Sequence, residues 1–232
     1  MKPNFLTWTL DLAAPRSCAV CGRRLGGSQQ LLCAACQLHL PFTRFELRPY
    51  DNVMARRFWG VLPLERAAAL FFYEPRSDAS AMVYALKYGD RPDLGHVMGT
   101  LLALRMLPHD FFSGVDAIVP VPLSLLRRWH RGYNQSLEIA RGIGEVTGLP
   151  VFNRVVRRVH FHQSQTQLTH FQRQTNIMGA FRLVRPDQVS GRHLLLVDDV
   201  VTTGATVTAL GQELLRAGDV HLSILSLGFT RS

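Results

Sequence analysis

The chain has 232 residues, of which 47% are apolar and 19% are charged. This composition excludes wholesale disorder, and the length suits one α/β domain with a small appendage. The net charge of +9 is nearly all arginine, because Lys2 and Lys87 are the only lysines.

The first residues carry no signal for export. The apolar stretch before Asp11 is too short for the core of a signal peptide. The run that comes closest to a membrane span, Val97 to Leu107, is interrupted by Arg105. We therefore expect no membrane span and a cytoplasmic protein, whose thiols stay reduced.

The four cysteines all lie near the start of the sequence and form two C-x2-C pairs, Cys18 with Cys21 and Cys33 with Cys36. Each pair can turn two thiolates onto one ion, and two pairs complete a tetrahedral set. We predict a structural zinc site, with iron as the main competitor because four thiolates suit either metal. A redox pair is the other alternative. A closed site offers no open position for chemistry, so this module should fold the N-terminus or dock a partner.

The hydrophobic spacing of the remaining chain predicts alternating strands and helices. Residues 41–66 contain three prolines and are interpreted as an irregular linker. The predicted elements are strand Ala67–Tyr73, helices Asp78–Lys87 and Asp93–Met106, strand Val115–Val121, helix Asn134–Thr147, a short strand near Pro150–Val155, strand 194–197, helix 205–217 and strand 220–227. This order predicts a mainly parallel sheet flanked by helices, with ligands at the carboxyl ends of its strands. We place the cysteine module at residues 1–45 and the α/β domain at 60–232.

A basic region follows the strand that ends in VPVPL, residues 119–123. Between Pro120 and Arg182 there are nine arginines and two glutamates, a net charge of +7 that is most of the excess in the whole chain. This window favours a polyanionic ligand or a nucleic acid, with a solvated basic face as the alternative. Within it, residues 157–178 are polar and too long for a simple connection, so we predict a lid.

Residues 194–207 read LLLVDDVVTTGATV and carry the most specific signal. The apolar run predicts a buried strand, which ends in Asp198 and Asp199 and leads through a Thr/Gly turn into a helix. Amides at the start of a helix bind anions, and carboxylates accept hydrogen bonds from vicinal hydroxyls. The segment therefore predicts a site for a sugar with a 5′-phosphate. A strand with a capped turn and solvated aspartates is the alternative.

This segment resembles the signature of the type I phosphoribosyltransferases, which bind phosphoribosyl pyrophosphate (PRPP) with Mg²⁺. The resemblance implies that Asp198 and Asp199 hold the ribose hydroxyls. It implies a 5′-phosphate cradle made of Thr202, Thr203, Gly204, Ala205 and Thr206. Purine-salvage members place an acid at the position of Thr202, so ordinary purine salvage is disfavoured here.

The pyrophosphate of PRPP needs backbone N–H groups and guanidinium groups, which the segment after residue 119 can supply. We expect Val121 and Pro122 in the PRPP site, and Arg131 as the main pyrophosphate ligand with Arg127 and Arg128 in reserve. Lys87 stands at a predicted helix end and either joins this site or simply complements the helix dipole.

The cysteine pairs, PVPL…RRWHRGYNQ, SQTQL…RQTNIMGAF and VDDVVTTGAT together resemble the ComF family of bacterial competence proteins over nearly the whole chain. The resemblance implies a phosphoribosyltransferase domain behind a zinc finger, a role in DNA uptake during natural transformation, and partnership with a competence helicase for some members. It leaves the acceptor of any phosphoribosyl transfer open.

Two functions remain open from the sequence. The chain is either a Mg²⁺-dependent phosphoribosyltransferase, with Arg131, Asp198 and Asp199 in the catalytic site, or a non-catalytic adaptor. The adaptor would use the same fold to sense PRPP or a nucleotide and would bind single-stranded DNA through its basic face. An enzyme needs a shaped acceptor pocket, whereas an adaptor needs only the surface.

Overall fold

A computed structural model describes residues 17–18, 20–26, 32–124, 129–159 and 179–231. Its helices are α1 (Ala34–His39), α2 (Val53–Arg56), α3 (Asp78–Tyr88), α4 (Pro92–Met106), α5 (Gln135–Thr147) and α6 (Ala205–Leu215). Its strands are β1 (Arg66–Phe72), β2 (Ala117–Pro120), β3 (Val156–Arg158), β4 (Phe181–Leu183), β5 (His193–Val201) and β6 (His221–Phe229). Short 3-10 turns cover Phe45–Leu47, Leu107–His109 and Pro186–Gln188.

The central sheet has four parallel strands in the order β1-β6-β5-β2. Its two inner strands, β5 and β6, are buried along most of their length, as is typical of parallel strands that are covered on both faces. At one edge Val151 adds a parallel bridge to Ile118, and at the other Phe42 adds an antiparallel bridge to Phe71. The parallel order that the sequence predicts is confirmed, and it brings the carboxyl ends of all four strands to one edge.

Helices α4 and α5 pack with their backbones in contact. A Cβ atom at Gly99 would lie 2.1 Å from the carbonyl oxygen of Ile139, and one at Gly142 would lie 2.0 Å from that of His96. Only glycine permits this approach. The close packing fixes the position of α5, whose first turn reaches the carboxyl edge of the sheet.

The interpretation of residues 41–66 as a linker is wrong. The side chains of Phe45, Met54, Phe58 and Leu62 are buried in the same core as the sheet. Asn52 secures the segment, because its Nδ2 donates to the carbonyl oxygens of Arg48 at 2.9 Å and Ala67 at 2.8 Å. The prolines shape a path that packs against β1. The domain limits of 1–45 and 60–232 stay a prediction.

The predicted strand at 150–155 is also displaced. Only Val151 forms a bridge there, and the strand proper is β3, which pairs antiparallel with β4 as a separate two-stranded sheet. Across the ranges that the structure covers, no helix is both long and apolar enough to span a membrane.

Candidate functional site

A pocket of about 270 Å³ lies at the carboxyl edge of the sheet, between the ends of β2 and β5 and the first turns of α5 and α6. Seven of the residues expected in the PRPP site line it: Val121, Pro122, Arg131, Asp198, Asp199, Thr202 and Thr206. Lys87 also lines it, at the end of α3. The other residues on its wall are Tyr73, Leu123, Gln135, Ser136, Arg158 and Val200.

The two carboxylates at the end of β5 have different partners. The hydroxyl of Ser136 and the backbone N–H of Asp199 donate to Oδ1 of Asp198, at 3.0 and 2.9 Å. The ammonium of Lys87 lies 3.2 Å from Oδ2 of Asp199. Lys87 therefore belongs to the site and is more than a helix-dipole charge. One carboxylate has neutral donors and the other has a counter-charge.

Asp198, the carboxylate without a direct counter-charge, has a raised pKa. Burial and the adjacent charge of Asp199 raise the pKa of Asp198 to about 7, although the N–H of Asp199, the Ser136 hydroxyl and Lys87 all oppose the shift. One lysine thus does not neutralise two crowded carboxylates. A cation bound at this edge would favour the ionised pair.

Asn134 joins the loop after β2 to helix α5. Its Nδ2 donates to the carbonyl oxygen of Val121 at 3.1 Å, and its Oδ1 accepts from the N–H of Ser136 at 3.2 Å. Asn134 is therefore the N-cap of α5 and also fixes the loop expected to contact pyrophosphate. The sequence predicts a helix that begins near Asn134, but it gives no sign that the first turn of this helix places Ser136 against Asp198.

Arg131 enters the pocket from the turn before α5. Its Nη1 donates to Oε1 of Gln135 at 3.1 Å, and its guanidinium lies 5.2 Å from the centroid of the Tyr88 ring. Gln135 is only 1% exposed, and among the described residues its Nε2 has no hydrogen-bond partner. A buried donor without an acceptor lowers the stability of the fold. A ligand that offers a hydrogen-bond acceptor at this wall of the pocket would therefore be favoured.

The segment from Thr202 to Thr206 turns into α6, which begins at Ala205. Gly204 has a φ of +81°, and a Cβ atom there would lie 2.8 Å from Cε1 of Phe58, so both conformation and space require glycine. The hydroxyl of Thr203 accepts from the N–H of Ala205 at 3.4 Å. Among the described residues, Thr203, Gly204 and Ala205 form the turn without lining the pocket.

Three predictions fall on residues about which the structure gives no description. Arg127 and Arg128 lie in the gap at 125–128, and most of the predicted lid lies in the gap at 160–178. Their roles therefore stay predictions.

A second cavity, of about 580 Å³, adjoins the pocket and shares Pro122, Leu123 and Arg158 with it. We call it the basic cleft, because its wall includes Arg141, Arg154, Arg157 and Arg158. Its one acid, Glu138, is paired with Arg141 at 2.8 Å. The cleft is therefore a strongly basic cavity beside the two aspartates.

The four cysteines form a separate cluster. Their Sγ atoms all lie within 4.8 Å of one another, with Cys21 and Cys33 at 3.6 Å. Sulfurs around a tetrahedral Zn²⁺ are about 3.8 Å apart when each Zn–S bond is about 2.3 Å. The cluster could therefore hold a metal such as zinc.

Protonation in this cluster is uneven. Burial opposes ionisation of Cys18, but N–H groups of Cys21, Cys33 and Val20 outweigh it and lower the pKa of Cys18 to about 6. Burial and the neighbouring thiols raise the pKa of Cys36. All four cysteines are free of disulfide bonds. Crowded sulfurs of this kind call for a cation to bind the thiolate forms.

Comparison with known proteins finds relatives over nearly the whole chain. The sequence is 32% identical to DNA utilization protein YhgH of Escherichia coli K12 over 218 residues, 90% of this chain and 88% of that protein. It is 32% identical to YhgH of Salmonella typhi over 227 residues, 93% of this chain and 98% of that protein. The chain belongs to the ComF/YhgH family. Competence protein F of Haemophilus influenzae is 34% identical over 113 residues, 48% of this chain and 49% of that protein.

This ComF/YhgH protein matches no family model. Its fold resembles an allosteric regulatory enzyme of purine biosynthesis, with 22% identity and a TM-score of 0.40. It also resembles glutamine PRPP amidotransferase from B. subtilis in complex with ADP and GMP, with 21% identity and a TM-score of 0.41. Each match covers 61% of this chain and 30% of the enzyme chain. The sequence-based expectation of an α/β fold with a mainly parallel sheet and an N-terminal cysteine cluster is confirmed.

Proposed function

We propose that this protein binds PRPP together with Mg²⁺ and transfers its phosphoribosyl group to an acceptor. The observation that carries the proposal is one pocket lined by Asp198 and Asp199, by Thr202 and Thr206 at the start of α6, and by Arg131. These are the complements of a diol, a phosphate and a pyrophosphate.

Each part of the ligand has a matching part of the pocket. The 5′-phosphate would lie at the start of α6, on the turn from Thr202 to Thr206. The ribose hydroxyls would donate to Asp198 and Asp199. The pyrophosphate would lie against the loop after β2 and Arg131, where Gln135 has an unused donor.

Metal fits this pocket because two carboxylates share a single lysine. Mg²⁺ is commonly held by one or two carboxylates together with the phosphates of a substrate. When bound, it would neutralise charge that develops on the pyrophosphate. Lys87, whose ammonium lies 3.2 Å from Oδ2 of Asp199, would supply a further positive charge beside these carboxylates.

The reaction itself asks little of a base. The bond from the anomeric carbon to pyrophosphate breaks and a bond to the acceptor forms, while positive charge gathers on the ribose. Asp198 and Asp199 would hold the ribose in place, and Arg131 would stabilise the leaving group, so positioning and charge carry the catalysis. The basic cleft gives the acceptor an entrance, and its arginines favour an acceptor that carries negative charge.

An adaptor that binds single-stranded DNA is the second candidate. Trp129 is 81% exposed next to His130, in the helical turn that contains Arg131. Gly132, the next residue in the chain, lines the basic cleft. An exposed aromatic ring beside a basic groove suits bases that stack and phosphates that pair. In this alternative the pocket would sense PRPP, and a competence helicase of the cytoplasm would be the partner.

Thermal unfolding with and without ligand tests the enzyme proposal. PRPP with Mg²⁺ should raise the Tm of the wild type, because a ligand that binds only the folded state stabilises it. Asp198→Ala combined with Asp199→Ala should remove the shift, whereas Asp187→Ala, which removes an exposed acid outside the pocket, should keep it.

Ribose 5-phosphate separates the two ends of the pocket. Thr203→Val should weaken ribose 5-phosphate and PRPP alike, and Arg131→Ala should weaken PRPP alone. A wild type that shows no magnesium-dependent response to millimolar PRPP would refute the proposed site. If the wild type does bind PRPP, a screen of anionic acceptors for release of pyrophosphate distinguishes an enzyme, which releases it, from a sensor, which does not.

A further inference from the structure

The turn proposed to hold the 5′-phosphate is supported by a segment most of which precedes the α/β domain predicted at 60–232. Residues 52–62, which we call the brace, run from the N-cap Asn52 through α2 to Leu62. They follow the cysteine cluster in the chain and precede β1. Nothing in the sequence of the brace suggests a ligand site.

Three contacts join the brace to the turn and to α6. Nη1 of Arg57 donates to the carbonyl oxygen of Thr202. The ring of Phe58, which is 1% exposed, fills the space beside Gly204. Leu62 packs so closely on α6 that a Cβ at Gly211 would lie 2.7 Å from its Cδ2. The brace therefore contacts both the turn and the helix that follows it.

Arg57 differs from the other two contacts because it brings charge. Its guanidinium lies 4.4 Å from the centroid of the Phe229 ring, at the end of β6, and is partly shielded from water. Burial lowers the pKa of Arg57, but an arginine side chain in a protein keeps its positive charge. A cation in such a partly shielded place acts more strongly on a nearby anion than one in bulk water.

The hydrogen bond also orients the backbone of the turn. In a trans peptide the carbonyl of Thr202 and the N–H of Thr203 point in opposite directions. By binding that carbonyl, Arg57 fixes the direction of the Thr203 N–H, one of the amides expected to meet the phosphate.

We propose that Arg57 is a positioning residue for the 5′-phosphate, supplied by the brace, which orients the phosphate turn and adds a fixed positive charge behind it. This inference rests on the proposed function of the pocket. It extends that function by including a residue from the segment that links the cysteine cluster to the sheet. It also implies that a disturbance of the brace changes ligand affinity without touching the aspartates.

The test compares Arg57→Ala with Arg56→Ala, using titration calorimetry with three probes: ribose 5-phosphate, PRPP with Mg²⁺, and magnesium pyrophosphate. Arg56 is the matched control, since it is the preceding residue but is exposed and paired with Asp51 at 2.6 Å. Arg57→Ala should weaken ribose 5-phosphate and PRPP by the same factor, about tenfold. It should leave pyrophosphate affinity unchanged, because pyrophosphate lacks the 5′-phosphate. Arg56→Ala should change none of the three.

Two further variants separate charge from orientation. Arg57→Lys keeps the charge and should restore much of the affinity, whereas Arg57→Gln keeps a donor without the charge and should restore less. The metal content and Tm of each variant show whether the fold is intact. If Arg57→Ala binds all three probes like Arg56→Ala, or loses all three equally, the inference is overturned. If the wild type itself binds neither ribose 5-phosphate nor PRPP, the proposed function has failed instead.

Discussion

The cysteine cluster and the aspartate pocket both crowd acidic groups together, but they do so in opposite ways. The cluster brings four sulfurs within 4.8 Å of one another, and three of these cysteines are buried. The pocket has two carboxylates on the wall of an open cavity and a lysine beside them. Four ligands can close around an ion and two cannot, so the first arrangement suits a permanent ion and the second an ion that arrives with a substrate.

The two sites also differ in how their acidic groups are accommodated when no cation is bound. Without a cation, the cluster must keep some thiols protonated, which the high pKa of Cys36 reflects. In the pocket Asp198 can take up a proton instead, because its pKa is about 7. The apo pocket is therefore tolerable near neutral pH, whereas we expect the cluster to depend on its metal for folding.

The largest effect should follow from removal of one sulfur. Cys33→Ser should lose the metal, because three thiolates no longer close the site, and the segments around residues 17–40 should lose their protection from proteolysis. The sheet from residue 115 onward should stay folded. Elemental analysis of the purified protein should find one zinc per chain in the wild type and none in the variant. If the wild type contains no stoichiometric metal, the cysteine cluster does not hold a permanent ion and its proposed difference from the pocket is wrong.

A smaller effect, and one that depends on pH, should follow from Asp198→Asn. The folded-state pKa of Asp198 is raised from 3.8 to about 7, so its stabilising contribution is complete below about pH 3.8 and is lost as the pH rises through 7. Asparagine keeps an oxygen for Ser136 and for the N–H of Asp199, and it cannot ionise. The variant should exceed the wild type in free energy of unfolding by about 1–3 kcal/mol at pH 8.

The difference in free energy of unfolding between the variant and the wild type should be smaller when urea unfolding is repeated at pH 5. In addition, PRPP with Mg²⁺ should no longer stabilise the variant. Asp187→Asn serves as the control, since it alters an exposed acid that is remote from the pocket wall. A gain in stability that is equal at both pH values would show that Asp198 is ionised throughout this range.

Most of the fold could be predicted from the sequence because buried parallel strands and amphipathic helices leave regular apolar patterns. Strands β1 and β6 and helices α3 to α6 lie near their predicted limits, whereas β5 continues past the predicted end at 197, through the two aspartates, to Val201. The two aspartates could be identified for the same reason, because they directly follow an apolar run in the sequence. In each case the signal lies within one short stretch of chain.

The missed contacts join distant parts of the sequence. Ser136 reaches Asp198 over 62 positions, and Arg57 reaches Thr202 over 145. The packing of residues 41–66 was missed because their prolines suggest a linker, while one neighbour of the buried Phe58 ring is Gly204, far away in the sequence. Side chains that complete a site through tertiary contacts leave no periodic pattern to detect.

The smallest expected effect concerns the basic cleft, which adjoins the aspartate pocket. The two cation-binding sites compared above attract positive charge, whereas the cleft should attract polyanions. If single-stranded DNA binds there, its affinity should fall steeply with salt, because bound phosphates release counterions. Arg154→Ala and Arg157→Ala should each flatten the slope of log K against log salt by about 0.7. Arg48→Ala, which lies outside the cleft, should leave the slope unchanged. Fluorescence anisotropy with an oligonucleotide at several salt concentrations measures all three. If no DNA binds at low salt, the positive charge of the cleft serves the acceptor or a protein partner instead. If the slopes are equal in all variants, DNA binds elsewhere on the surface.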